Sequence, residues 1–365
     1  MRMLRWVGLF LAPAALLVFS APAGAAKFQT GGRTKQAAEP IWTLDMDGPR
    51  VAYASGGKIR IWNVATGSTS VVKGNYGGSA SNFVNNTAAQ VAIAGKRVAW
   101  IKDQPLGNTE ESERLYTASI GGRAQRVDRV HRFGTDDASH TTGGWIEGLT
   151  GSGKTLAVST WRSHGTEASD QQLRLVTGKG LRSLARGSGL IVSQAVDAGH
   201  IAVLRSRPWS SSNSVGIYSR NGSELGEVDL GPPSTETFST KVALSGNELI
   251  VLTTALEEPS GPTRVTLQVY DWTTGKLLHT WPVAIHSSGE EVSFAVHGQL
   301  AAVEGPSKLH LVDLTSGKDV TIAPASHTGS PPAIDSRGIV YALDPHLNGP
   351  GKLVFVPMAK LLADG

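Results

Sequence analysis

LDMDGPRVAY (residues 44–53) carries the pattern that decides the fold: a hydrophobic strand, a glycine-centred turn and a second strand with a small residue between apolar ones. The pattern returns six times, as AIAGKRVAW (92–100), LTGSGKTLAV (149–158), AVDAGHIAV (195–203), ALSGNELIV (243–251), AVHGQLAAV (295–303) and AIDSRGIVY (333–341). The turn glycines follow one another at intervals of 40 to 58 residues. Repeats of this length, each burying its faces against its neighbours, are typical of propeller blades.

Residues 40–73 show how one blade is encoded. IWTLDM, VAYAS, KIRIWNV and STSVVKG are expected as four antiparallel strands, a to d. In strand c, Ile59 and Ile61 alternate with Arg60 and Trp62, as a half-buried strand requires. The end of strand c returns as LQVYDWTTGK (267–276) and LHLVDLTSGK (309–318). Its Asx residue and the glycine that follows predict a tight c–d turn.

The sequence therefore predicts an all-β fold, a single seven-bladed propeller of four-stranded antiparallel blades. Six or eight blades stay open, because the repeat intervals are uneven. The last blade lacks a clear fourth strand, and residues 27–36 precede the first blade without one of their own. We expect this N-terminal segment to supply the outer strand of blade 7 and to close the ring, because closure removes exposed strand edges.

The phrases IWNVATG, VYDWTTGK and LVDLTSGK resemble the strand-c ends of WD-repeat and related bacterial propellers. The resemblance covers the mature chain by its period and three blades by motif. The Trp-Asp dipeptide is absent, and Gly199-His200 stands in an a–b turn. The resemblance implies the broad exported class that includes Tol-system and quinoprotein-like relatives, and it carries over no cofactor residues.

The N-terminus predicts export. Arg2 and Arg5 precede an apolar run from Val7 to Phe19, and Ala23-Gly24-Ala25 has the pattern of a signal-peptide cleavage site. The run is shorter than a membrane span needs. We expect residues 1–25 to be a signal peptide and 26–365 to be the propeller domain, which would be periplasmic, cell-wall associated or secreted. The chain has no cysteine, so packing rather than disulfides must stabilise it.

Composition and motifs argue against several ligand classes. The formal net charge is +4, and Lys and Arg form no run, so a nucleic-acid surface is not expected. Residues 148–155 match the phosphate-loop pattern, but the strand-like LAVSTW follows where the motif needs a helix. We therefore expect a hairpin turn and no nucleotide. No cofactor or metal is predicted, because no histidine pair has a metal-motif spacing.

The long connections all fall on one predicted face. The a–b and c–d turns are short, whereas the b–c and d–a connections include residues 74–87, 103–113, 131–142 and 207–213. Long loops are disproportionately functional. We take this long-loop face as the candidate site and assign to it aromatic, histidine and arginine residues from several blades: Tyr76, His131, Phe133, His140, Trp145, His164, Arg207, Trp209 and His286.

The predicted function is non-catalytic: a monomeric binding or scaffolding propeller that engages a protein, peptide or glycan through the long-loop face. The alternative is an enzyme with its site in the central funnel, such as a hydrolase, lactonase or quinoprotein-like dehydrogenase. A catalytic funnel should concentrate acids and histidines where the inner strands begin. The predicted starts carry none: Trp42, Gln90, Trp145, Gln194, Lys241, Ser293 and Ala333.

Overall fold

Seven four-stranded antiparallel sheets are arranged as blades around a central axis, as the repeats predict. The structure is a computed structural model. It describes residues 32–74, 88–105, 110–133, 142–163, 168–187, 190–197, 199–206, 213–231, 237–256, 263–287, 292–324, 330–343 and 349–363. The predicted signal peptide lies outside these residues.

Within blades 1 to 6 the strands run from the axis outward in chain order. Blade 1 consists of β2 (Ile41–Asp47), β3 (Arg50–Ser55), β4 (Lys58–Asn63) and β5 (Thr69–Val71), and blade 2 of β6 (Ala88–Ala94), β7 (Arg97–Pro105), β8 (Glu110–Ser119) and β9 (Gln125–Phe133). Blade 3 consists of β10 (Thr142–Ser152), β11 (Thr155–Ser163), β12 (Ala168–Thr177) and β13 (Gly180–Gly187), and blade 4 of β14 (Leu190–Asp197), β15 (His200–Ser206), β16 (Ser214–Ser219) and β17 (Glu224–Asp229). Blade 5 consists of β18 (Thr237–Ser245), β19 (Glu248–Leu256), β20 (Thr263–Asp271) and β21 (Lys276–Ser287). Blade 6 consists of β22 (Ser293–His297), β23 (Leu300–Glu304), β24 (Lys308–Asp313) and β25 (Asp319–Pro324).

Blade 7 is built from both ends of the chain. Its three inner strands are β26 (Ala333–Asp335), β27 (Gly338–Leu343) and β28 (Lys352–Pro357), and its outer strand is β1 (Arg33–Gln36). Strand β1 pairs antiparallel with β28, with Arg33 opposite Phe355 and Gln36 opposite Lys352. The predicted closure by the N-terminal segment is confirmed for residues 33–36.

The hydrophobic core is divided into seven clusters, one between each pair of adjacent blades. Strand b shows why the repeated motif has a small central residue. Ala52, Ala99, Ala157 and Ala202 are fully buried and face the following blade, while the apolar residues beside them face the preceding one. Blades converge toward the axis, and small side chains let them approach closely.

The two ends of the propeller differ. The a–b and c–d turns lie on one face, which we call the short-turn face, and the predicted Asx turns form there. Asn63 Oδ1 accepts the backbone N–H groups of Ala65 and Thr66, and Asp313 Oδ1 accepts those of Thr315 and Ser316. The phosphate-loop match is also a turn on this face, because residues 153–154 join β10 to β11 directly.

The chain ends on the same face. Helix α1 (Met358–Ala363) follows β28 and buries Leu361 against blade 7. Among the described residues, no helix has the length and apolar character needed to cross a membrane.

Candidate functional site

An axial cavity of about 300 Å³ runs between the innermost strands. Its lining comes from strand a of the seven blades and includes four carboxylates and one histidine: Asp45, Asp47, Asp197, Asp335 and His297. The predicted starts of the inner strands carry no acid or histidine, whereas these groups stand in the middle or at the end of the strands. The funnel therefore holds more acidic groups than predicted.

These polar groups have a structural task. Strand a pairs with strand b on one side, so the backbone N–H groups on its axial side need other partners. In blade 1, Thr43 Oγ1 accepts the N–H of Val91 at 3.2 Å and Asp45 Oδ2 accepts that of Ile93 at 2.8 Å. Asp47 Oδ2 accepts the N–H of Gly95 at 2.5 Å. Three alternate side chains of β2 thus satisfy two backbone donors of β6 and one in the turn that follows it in blade 2.

Similar bonds link other blades. Gln90 Oε1 accepts the N–H of Leu149 at 2.8 Å, and Ser193 Oγ accepts that of Val242 at 3.2 Å. Thr43, Gln90 and Ser193 each stand directly after a β-bulge in strand a. Because bulges re-aim side chains, the bulge is the local feature that places these acceptors beside the next blade.

Aspartates that end strand a contact the turns of other blades. Asp197 Oδ2 accepts the N–H of Gly246 at 2.8 Å, and Asp47 Oδ1 accepts that of Gly153 at 2.8 Å. Asp335 bonds the backbone of Gly48, which links blade 7 to blade 1. The aspartates at these turns therefore form hydrogen bonds between blades in addition to their role in the turns.

Two channel carboxyls are electrostatically unusual. Burial raises the pKa of Asp45 to about 8, although N–H groups of Ile93 and Met46 bond it, and the charges of Asp47 and Asp335 add to the rise. Burial also raises the pKa of Asp335, although backbone hydrogen bonds and the charge of His297 act to lower it. In the part of the chain that the structure describes, no three His, Cys, Asp or Glu side chains are grouped so as to hold a metal ion.

The long-loop face contains more strand than the sequence suggested. His131 and Phe133 were expected in a loop, but both lie in β9, and His286 lies in β21. Residues 103–105 and 110–113 extend β7 and β8 as a hairpin. These assignments to loops were wrong because charged residues in the extensions hide the strand pattern, while cross-strand backbone pairing continues through them.

The extensions join two blades. Thr142 and Gly143 of β10 pair with Phe133 and Arg132 of β9, so blades 2 and 3 form one eight-stranded sheet at this face. Strands β7 to β9 project beyond blade 1, which ends at this level in the two-residue turn Gly56-Gly57.

Trp145 is the one predicted aromatic contact whose side chain is described. It is half-buried and stacks on Trp161 of the paired strand, with ring centroids 3.8 Å apart and planes 13° apart. Trp62 and Trp100, in contrast, are core residues, and each is 1% exposed. Five other predicted residues lie outside the described residues: Tyr76, His140, His164, Arg207 and Trp209.

Sequence reasoning missed two groups. The acceptors of blade 1 have their partners 48 residues along the chain, so the repeat spacing was the available signal. The second group is a layer of cations, Lys102, Arg114 and Arg129, that lie in cross-strand register on blade 2. They are spread along the sequence, and the cross-strand register of β7, β8 and β9 brings them together.

No protein-family model matches the chain, and no curated protein matches it in sequence. Among solved structures, it is similar to Kuenenia stuttgartiensis hydrazine synthase, with a TM-score of 0.55 and 11% identity over 87% of this chain and 96% of that chain. It is also similar to the β-propeller domain of the trilobed protease from Pyrococcus furiosus, described as having an open velcro topology, with a TM-score of 0.50 and 12% identity over 86% and 94% of the two chains. At such identities the likeness concerns the fold alone.

Proposed function

We propose that this chain is an exported, non-catalytic binding or scaffolding propeller that engages a protein, peptide or glycan through its long-loop face. Residues 1–25 would be removed on export and residues 26–365 would act as a monomer. The chain would belong to the broad exported propeller class that the strand-c motifs resemble.

The projecting sheet of blades 2 and 3 is the observation that carries this proposal. Strands β7 to β10 continue past the body of the ring and pair across the two blades, which gives the long-loop face a rigid platform. Sites built on strands hold their side chains in place better than sites on loops. The short-turn face offers no comparable projection among the described residues.

The channel supports the non-catalytic version. Asp45, Asp47 and Asp197 each accept backbone N–H groups from another blade. Carboxylates that act in acid–base catalysis must reach the substrate, and these are engaged in holding strands together. The funnel-site enzyme therefore has less support than the binding role.

The test compares the two faces. Trp209→Ala and Tyr76→Ala are expected to abolish capture of the physiological partner from the exported fraction, because aromatic side chains dominate binding interfaces. Asn247→Ala, in an exposed turn of the short-turn face, is the matched control and should capture normally. Melting curves verify that all three variants fold. Loss of capture in the control, with capture retained by the long-loop variants, would show that the functional face was assigned backwards.

A further inference from the structure

Blade 2 presents three cations side by side above the rim of blade 1. Lys102 of β7 lies opposite Arg114 of β8, and Arg114 lies opposite Arg129 of β9. One layer below, Trp100 stacks on Tyr116 with ring centroids 5.5 Å apart, within the cluster shared with blade 1. Because side chains alternate along a strand, the three cations point toward the blade 1 side. The strands of blade 1 end below this level, at the turn Gly56-Gly57 between β3 and β4.

The nearby described carboxylates have other partners. Asp128 faces blade 3 and forms an ion pair with Arg174 at 2.9 Å. Glu113 accepts the N–H of Ile146, also in blade 3. Alternation along β7 directs Asp103 to that same side, away from Lys102. Asp103, Glu113 and Asp128 thus point toward blade 3, whereas Lys102, Arg114 and Arg129 lie on the opposite side.

The groups around the cations leave their charge uncompensated. Arg129 Nε donates to Ser112 Oγ at 3.1 Å, which is a neutral partner. Arg114 Nε is buried with no hydrogen-bond partner among the described atoms. Burial lowers the pKa of Lys102, and the charge of Arg114 lowers it further, with no carboxylate acting against them.

The connection between blades 1 and 2 cannot supply the missing charge, because residues 74–87 contain no Asp or Glu. Like charges directly opposite one another destabilise a sheet. A bound anion would relieve that cost.

We propose that Lys102, Arg114 and Arg129 form a binding site for an oxyanion of the phosphate class carried by the ligand of the long-loop face. Guanidinium groups match such oxyanions with paired hydrogen bonds, and a lysine adds a point charge. The assignment rests on the proposed binding role of this face and names the chemistry of its ligand.

The test measures the melting temperature in inorganic phosphate against chloride at equal pH and ionic strength. Wild type is expected to gain about 4 °C when phosphate reaches one hundred times its Kd. Arg114→Gln should abolish this gain and should itself melt higher than wild type in chloride, because it removes the repulsion. Lys308→Gln, an exposed lysine at the same face of blade 6, is the matched control and should respond like wild type.

A second arm replaces phosphate with linear polyphosphate. A rise in melting temperature with both ligands supports a site for a single phosphate-class group. A rise with the polymer alone supports a ligand that carries several such groups along one chain. No gain with either, or a gain that survives Arg114→Gln, overturns the assignment. If that happens while Trp209→Ala still loses its partner, the binding role of the face stands without the oxyanion. If Asn247→Ala loses the partner while phosphate still acts through Arg114, the oxyanion site stands and the assigned face fails.

Discussion

Thr43, Asp45 and Asp47 show how side-chain oxygens can supply the hydrogen-bond acceptors that a neighbouring strand would otherwise provide. The inner edge of blade 2 has no neighbouring strand on the axial side, yet its N–H groups at Val91 and Ile93 are satisfied. Side-chain oxygens from the preceding blade supply the acceptors. Leu44, between two of these residues, points the opposite way into the cluster with blade 7. The alternation of polar and apolar residues in strand a therefore serves two different blades.

Asp45→Asn is expected to make stability less sensitive to pH. The pKa of Asp45 rises from 3.8 to about 8 on folding, so the folded protein favours the protonated form. Native protein then holds more protons than unfolded protein between these values, and the free energy of unfolding falls as pH rises. An asparagine keeps an acceptor for Ile93 and does not titrate.

Melting temperatures of wild type and Asp45→Asn across this range provide the measurement. The variant's advantage should widen from about pH 4 to about pH 8 and then stay constant, and the exposed Asp229→Asn should show no such trend. A constant difference between wild type and Asp45→Asn across the whole range would contradict the raised pKa.

Strand β1 is the element on which closure depends. Its four residues pair with β28 through a continuous register from Arg33 to Gln36. Without it, β28 would become an exposed edge, and exposed edges pair with other chains. The strand is short, but its position makes it the contact between the two ends of the chain.

Deleting residues 27–36 is therefore expected to cost several kcal/mol, on the order of a large single-site effect or more, through lost backbone bonds and packing. The truncated protein should melt lower and should aggregate through the β28 edge. Thermal melting and size-exclusion chromatography measure the two effects. A monomeric truncation with an unchanged melting temperature would mean that β1 does not hold the ring closed.

The elements differ in how far the sequence predicts them. The turns after Asn63 and Asp313 were predictable, because Asx side chains and glycines determine their own local geometry. The extension of β8 through Glu113 was not predictable from the sequence, because its charged residues are held by backbone pairing with β7 and not by burial in a core. Of the candidate site, Trp145 was placed on the correct strand, while the layer around Arg114 depends on a register that no local pattern encodes.

At the scale of the molecule, stability depends on seven similar interfaces joined in a ring. Each hydrophobic cluster lies between two blades, so opening one interface exposes the apolar faces of both blades that form it. The interfaces next to blade 7 differ from the others, because both ends of the described chain meet there and no residue of β1 is buried. Unfolding of the ring should begin where β1 leaves β28.

A disulfide between β1 and β28 should therefore stabilise the whole ring. Thr34 and Val354 are directly paired, and the chain has no other cysteine, so Thr34→Cys with Val354→Cys gives one defined bridge. The bridge closes a loop from residue 34 to residue 354, which chain-entropy arguments value at about 6 kcal/mol before any strain. Gln268→Cys with Thr280→Cys, a pair inside blade 5, is the control because it closes a short loop away from the chain ends. Melting under oxidising and reducing conditions should show a gain for the blade 7 bridge well above that of the control. Equal gains for both bridges would mean that unfolding does not begin at the closure of the ring.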